Sequence, residues 1–117
     1  MQPPNPYHED RPWGGFVEFT KNQPSTVKMI NVKPHEALSL QKHADRDEFW
    51  YILSGEGFIT KGTERIPAKT GETHWVPRGT PHRMEGGEEA LFVLEIAFGK
   101  FDENDIVRIE DKYGRVK

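Results

Sequence analysis

The stretch Gln41-Lys-His43-Ala-Asp-Arg46-Asp-Glu48-Phe-Trp-Tyr-Ile-Leu-Ser54 reads as a strand, a turn and a second strand. Side chains two apart on a strand share a face, so Gln41 and His43 project together. Residues 44–47 leave room for a hairpin turn, after which Glu48 can return to the same face. Far downstream, after the turn Pro77-Arg-Gly79, His82 adds a second imidazole. Gln41, His43, Glu48 and His82 together offer an amide oxygen, two ring nitrogens and a carboxylate. This set suits zinc first, and octahedral manganese, iron, cobalt or nickel after it, with positions left open for a substrate. Gln41 is the weakest donor of the four and either ligates or hydrogen-bonds a ligand.

Beyond this stretch, short strand-like runs alternate with turn signals, the pattern of a small all-β barrel. Strands are expected over residues 15–20, 26–32, 37–43, 48–54, 57–61, 73–76, 82–85, 91–98 and 106–110. Turns are expected at Asn22-Gln-Pro24, Ser54-Gly55-Glu-Gly57, Pro77-Arg-Gly79 and Glu85-Gly86-Gly87. Residues 1–10, with three prolines in the first six positions, read as a flexible arm ahead of a single domain over residues 11–117. Parity sorts the two most apolar runs. Glu48, Trp50 and Ile52 share one face and Phe49, Tyr51 and Leu53 the other. Phe92, Leu94, Ile96 and Phe98 oppose Leu91, Val93, Glu95 and Ala97. Strands apolar on both faces need cover on both, so a homodimer is expected. Glu95 points inward by the same parity, and a buried carboxyl needs a cation, a donor or water.

Composition narrows the classes. A net charge of −3 argues against nucleic acid, whose phosphates call for a basic face. No apolar run reaches membrane-spanning length, since the best, residues 90–98, is interrupted by Glu95. The first residues show neither a basic start nor an apolar stretch, so a cytoplasmic location is expected. There is no cysteine, so any metal must be held by nitrogen and oxygen.

The same residues carry a family resemblance. The segment from Pro34 through Gln41, His43 and Glu48 to Gly55 resembles the first cupin motif, and Gly71 to His82 the second. More narrowly, LSLQKHADRDEFW (38–50), RPWGGF (11–16) and DIVRIEDKYGR (105–115) are similar to type II phosphomannose isomerases. The resemblance implies a jelly-roll (double-stranded β-helix) cupin barrel, here expected as a stand-alone chain without the guanylyltransferase domain found fused to it in that family. It implies a metal-dependent aldose–ketose isomerase that interconverts mannose 6-phosphate and fructose 6-phosphate. Arg46 falls on an arginine that such enzymes need, where a guanidinium stabilises an enediolate or grips a phosphate. Glu95 is a candidate second catalytic carboxylate, as general base, hydrogen-bond acceptor or ion-pair partner. Arg11, Arg78, Arg83, Lys100, Arg108 and Arg115 are candidate phosphate partners, with Arg115 favoured by its place in the last motif.

Departures from the family pattern cluster near the pocket. Ala44, Asp45 and Phe49 stand where the type II string carries histidines, Gly86 replaces an asparagine of the second motif, and Ile96-Ala97 follow Glu95 in place of Val-Gln. They favour, as a second reading, a sugar- or phosphosugar-binding cupin without catalysis. A third reading, a metal oxygenase, fits less well, because that class more often pairs three histidines with a glutamate.

Overall fold

The computed structural model describes residues 1–116, and the chain folds through nine strands. They are β1 (Tyr7–Arg11), β2 (Gly14–Glu18), β3 (Thr26–Val32), β4 (Leu40–Lys42), β5 (Arg46–Lys61), β6 (Glu64–Ala68), β7 (Thr73–Val76), β8 (His82–Gly99) and β9 (Val107–Glu110). β5 and β8 run antiparallel along nearly their whole length, from Arg46↔Gly99 to Lys61↔His82. The first part of β5 pairs with β7 and its last part with β6. The last part of β8 pairs with β3, while His82 at its start pairs with Gln41 of β4, which pairs on with β9. The two long strands therefore pass from one layer, β3-β8-β5-β7, to a second, β6-β5-β8-β4-β9. That arrangement is the all-β jelly roll expected from the sequence. Among the described residues, no helix is long and apolar enough to cross a membrane.

The core lies between the layers. Trp50, Ile52 and Ile59 of β5 meet Met84, Leu91 and Val93 of β8, with Val32, Ala68 and Val76 closing the sides, all nearly or fully buried. Each of the larger aliphatic side chains among them contributes about 1.5–3 kcal/mol by leaving water. A second cluster, Phe49, Ile96 and Phe98 with Phe19 and Trp75 against it, lies on the opposite face of the same strands. The face assignments made from parity hold on both strands.

Several boundaries differ from the sequence reading. Residues 48–54 and 57–61 are one strand, as are 82–85 and 91–98, because the intervening glycines are crossing points and not turns. A Cβ at Gly55 would lie 1.8 Å from the Ala90 carbonyl oxygen, and one at Gly57 would lie 1.9 Å from that of Glu85. The ladder shifts register at this place, so glycine lets the paired strands bend in close contact. The run 37–43 shrinks to β4 and a lone bridge, Ala37↔Glu85. β4 and β5 do not form the expected hairpin, because β4 lies beside β8 in the second layer. β6 was not foreseen. Tyr7–Arg11, most of it within the arm expected over residues 1–10, pairs with Gly14–Glu18 in a separate two-stranded sheet.

Candidate metal centre

Three side chains converge where the two layers meet. His43 follows β4, Glu48 lies in the first part of β5, and His82 opens β8. One ligating atom from each lies within 4.8 Å of the others, and all three residues are buried. His43 Nε2 is 3.4 Å from Glu48 Oε2, and His82 Nε2 is 3.6 Å from Glu48 Oε1. Three of the four side chains expected to meet do so, brought together through β8 and not through a β4–β5 turn.

Both imidazoles are set for ligation by their outer nitrogens. Nδ1 of His43 lies 2.6 Å from the Asp105 carbonyl, and Nδ1 of His82 lies 2.9 Å from the Thr80 carbonyl. A carbonyl can only accept, so each Nδ1 carries the hydrogen and each Nε2 turns a lone pair inward. Burial depresses both histidine pKa values and keeps the rings neutral. His82 Nε2 is buried with no hydrogen-bond partner, an arrangement that costs free energy unless an acceptor of that lone pair arrives. A divalent cation is such an acceptor, and the neutral-nitrogen and carboxylate donors fit one.

Arg46 is not a solvated turn residue. It begins β5, is 6% exposed, and lies over the Phe101 ring. Its Nε donates to Glu48 Oε2 at 3.0 Å, one Nη donates to the Asp102 carbonyl at 3.2 Å, and the other lies 3.1 Å from His43 Nε2. The guanidinium thus competes with any entering cation for the inward lone pair of His43. Glu48 also accepts from the Trp50 indole at 3.0 Å.

Glu95 is buried beside Glu48, as parity required. Burial and the Glu48 charge push its carboxyl up to about 8, so near neutral pH it holds a proton and donates it in a hydrogen bond to Glu48. Burial works to raise Glu48 as well, but His82, the Glu95 hydrogen bond, His43 and Arg46 together hold it below the ordinary carboxylate value. Two carboxyls in contact thus divide into one acid and one anion.

A cavity of about 220 Å³ opens onto this group, lined by Gln41, His43, Arg46 and Glu95 together with Lys28 and Arg108 among others. Gln41 Oε1 accepts from Ser39 Oγ at 2.7 Å, and an amide oxygen keeps a second lone pair for a cation. Of the candidate phosphate partners, Arg11 pairs with Glu9 on the outlying hairpin, Arg78 with Asp47 and Arg83 with Glu110. Lys100 is exposed. Only Arg108 and Arg115 of that group line the cavity.

Two contributors escaped the sequence reading. The Asp105 carboxylate accepts from the backbone of Ala44 and of Asp45, each at 2.9 Å, and so fixes the segment between His43 and Arg46. Nothing local marks a loop aspartate for that role. Lys28 reaches the cavity from β3, pairs with Glu103 at 2.7 Å and was legible from parity, since it faces inward with Ile30 and Val32.

Comparison with known proteins adds an independent line. Residues 5–111 match the family described as mannose-6-phosphate isomerase C-terminal. The xanthan biosynthesis protein XanB of Xanthomonas campestris pv. campestris is 39% identical over 107 residues, covering 90% of this chain and 23% of that protein. The mannose-1-phosphate guanylyltransferase ManC of Salmonella typhimurium is 37% identical over 108 residues, covering 91% of this chain and 22% of that protein. The chain spans less than a quarter of the length of these curated relatives. Among solved structures, a cupin-2 domain from Rhodospirillum rubrum aligns with a TM-score of 0.62 at 21% identity, covering 75% of this chain and 64% of that one. At that identity the likeness concerns the fold alone.

Proposed function

The chain belongs to the mannose-6-phosphate isomerase C-terminal family, and on that premise we propose that it is a metal-dependent aldose–ketose isomerase acting on mannose 6-phosphate and fructose 6-phosphate. The observation that carries the reading is the buried, unpartnered Nε2 of His82, facing Glu48 and His43 at ligand spacing. His43, Glu48 and His82 would hold the cation, with Gln41 as a further oxygen donor. Zinc is the first candidate, and manganese, iron, cobalt or nickel the alternatives. When bound, such an ion supplies Lewis-acid polarisation of a carbonyl.

The remaining work falls to residues of this chain. Isomerisation moves a proton between C2 and C1 of the open-chain sugar through an enediolate. Glu95 reaches the cavity and titrates near the working pH of a general acid–base, so it is the group assigned to carry that proton. Arg46, buried and permanently charged, offsets the developing anion. Trp50, buried in the core, donates its indole N–H to Glu48 and holds that carboxylate in place.

One contact favours a second reading. Arg46 lies 3.1 Å from His43 Nε2 and occupies a lone pair that a cation needs, as it would in a binding module that works without metal. Proton NMR of mannose 6-phosphate in deuterated water, with metal-loaded protein, separates the two. The isomerase reading expects deuterium at C2 and growth of fructose 6-phosphate signals, both abolished by chelator. Folded, metal-loaded protein that binds the sugar phosphate yet exchanges no proton would leave the binding module standing.

A further inference from the structure

We propose that Arg108 is the phosphate anchor of this cavity, placed so that a substrate with its carbonyl end at the His43–Glu48–His82 group lays its phosphate on the β9 guanidinium. The proposal rests on the isomerase reading for the carbonyl end only. Arg108 lines the same cavity as Gln41, His43, Arg46 and Glu95. Its Nε is buried without a hydrogen-bond partner, as is His82 Nε2. Three other cations line this cavity, and each is already matched: Lys28 with Glu103, Arg46 with Glu48, Arg115 with Asp111. A buried guanidinium N–H without an acceptor is costly, and a dianionic phosphate offers several acceptors in the geometry that arginine prefers.

The spacing agrees. Gln41 stands opposite His82 on one side and opposite Arg108 on the other, so the three lie along one rung of β8, β4 and β9. Neighbouring strands are about 4.8 Å apart, which sets His82 and Arg108 roughly 10 Å from each other at the backbone. An open-chain hexose phosphate has a comparable reach from its C1 and C2 oxygens to its phosphorus. Gln41, between the two, would face the sugar hydroxyls. A free hexose could fill the carbonyl end but would leave Arg108 unmatched, so the ligand class is a sugar phosphate and not a neutral sugar.

The test is calorimetry on the metal-loaded full chain with mannose 6-phosphate, mannose and inorganic phosphate, comparing wild type, Arg108→Gln and Arg83→Gln. Wild type should bind the sugar phosphate, and Arg108→Gln should weaken it roughly 10- to 100-fold, the loss of a charged hydrogen-bonding partner. Mannose affinity should be unchanged by Arg108→Gln, and Arg83→Gln should leave sugar-phosphate affinity as in wild type. Thermal melts of ligand-free protein should show Arg108→Gln no less stable than wild type, because no internal partner is lost. Unchanged mannose 6-phosphate affinity in Arg108→Gln overturns the phosphate anchor, even where isomerisation proceeds. Arg108-dependent binding without proton exchange supports the anchor while overturning the isomerase. Wild type that binds no sugar phosphate overturns the anchor.

Discussion

Two of the protein's hollows differ sharply, and the larger of them is the less equipped for chemistry. That hollow, about 610 Å³, is lined by Glu36, Glu56, Arg65 and Glu85 beside Gly57 and Gly86. Its central pair is already satisfied, with Arg65 donating to both oxygens of Glu85 at 3.1 and 3.0 Å. Its glycines are present because backbones cross there, as the 1.9 Å clash of a Cβ at Gly57 shows. The smaller, about 220 Å³, combines a permanently charged arginine, two carboxyls and a histidine with a guanidinium N–H that has no partner, and the bare His82 nitrogen lies behind them. Buried polar atoms left unmatched cost stability and are therefore scarce in folded proteins. Volume measures where strands diverge. Among the described residues three buried side-chain atoms lack partners, and two of them, His82 Nε2 and Arg108 Nε, gather at the smaller hollow, while the third, His74 Nε2, lies on β7.

The largest expected effect comes from removing the anion that organises the smaller hollow. Glu48→Ala deletes a proposed ligand and leaves the Arg46 Nε and the Trp50 indole N–H buried without acceptors. Breaking a buried pair from one side costs about 3–5 kcal/mol. Metal content measured by mass spectrometry should fall to background, and the denaturant midpoint should drop steeply. A variant that retains stoichiometric metal would break the comparison at its centre, because the smaller hollow would then not be organised by Glu48.

The donor types and the strand faces were legible because both depend on local rules. Residue type names a ligand, and a period of two places Trp50 with Glu48 and Glu95 with Leu91 and Val93. What escaped depends on distant partners. β4 lies on β8 because the second layer needs a strand there, and nothing within residues 41–48 records that. Gly55 and Gly57 read as a turn because a crossing and a turn ask the same thing of the backbone, and only the Ala90 and Glu85 carbonyls distinguish them. Arg46 was expected in the site, but its burial against Phe101, Asp102 and Glu48 was not legible, because two of those partners lie more than fifty residues away. Arg108 was one arginine among several until the others proved to be paired.

A middle-sized effect separates the two carboxyls by pH. Folding raises Glu95 from 4.5 to about 8, so between those values the folded protein holds a proton that the unfolded chain has released. Stability contributed by that proton is complete below about pH 4.5 and is lost as pH rises through about 8, at up to about 1.4 kcal/mol per unit. Glu95→Gln keeps a donor toward Glu48 and removes the titration. In metal-free protein, the stability of the variant relative to wild type should therefore climb from pH 5 to 8 in paired urea titrations. The contributions of the neutral histidines, which run the other way below about pH 6.5, cancel in that difference. A flat difference would mean that Glu48 and Glu95 do not share a proton.

The smallest effect should come from the larger hollow. Arg65 is half exposed, so its pairing with Glu85 is screened by water and contributes little to stability. Arg65→Ala also uncovers the Phe58 ring, 3.8 Å beneath the guanidinium, which adds a little lost packing. The melt should shift only slightly, and metal content and sugar-phosphate affinity should match wild type. The same truncation at Arg46 should leave His43 with a free lone pair and Glu48 short of a donor, altering metal affinity at once. If Arg65→Ala instead impairs ligand binding as much as a change at Arg46, the two hollows are coupled, and unmatched atoms alone do not locate the site.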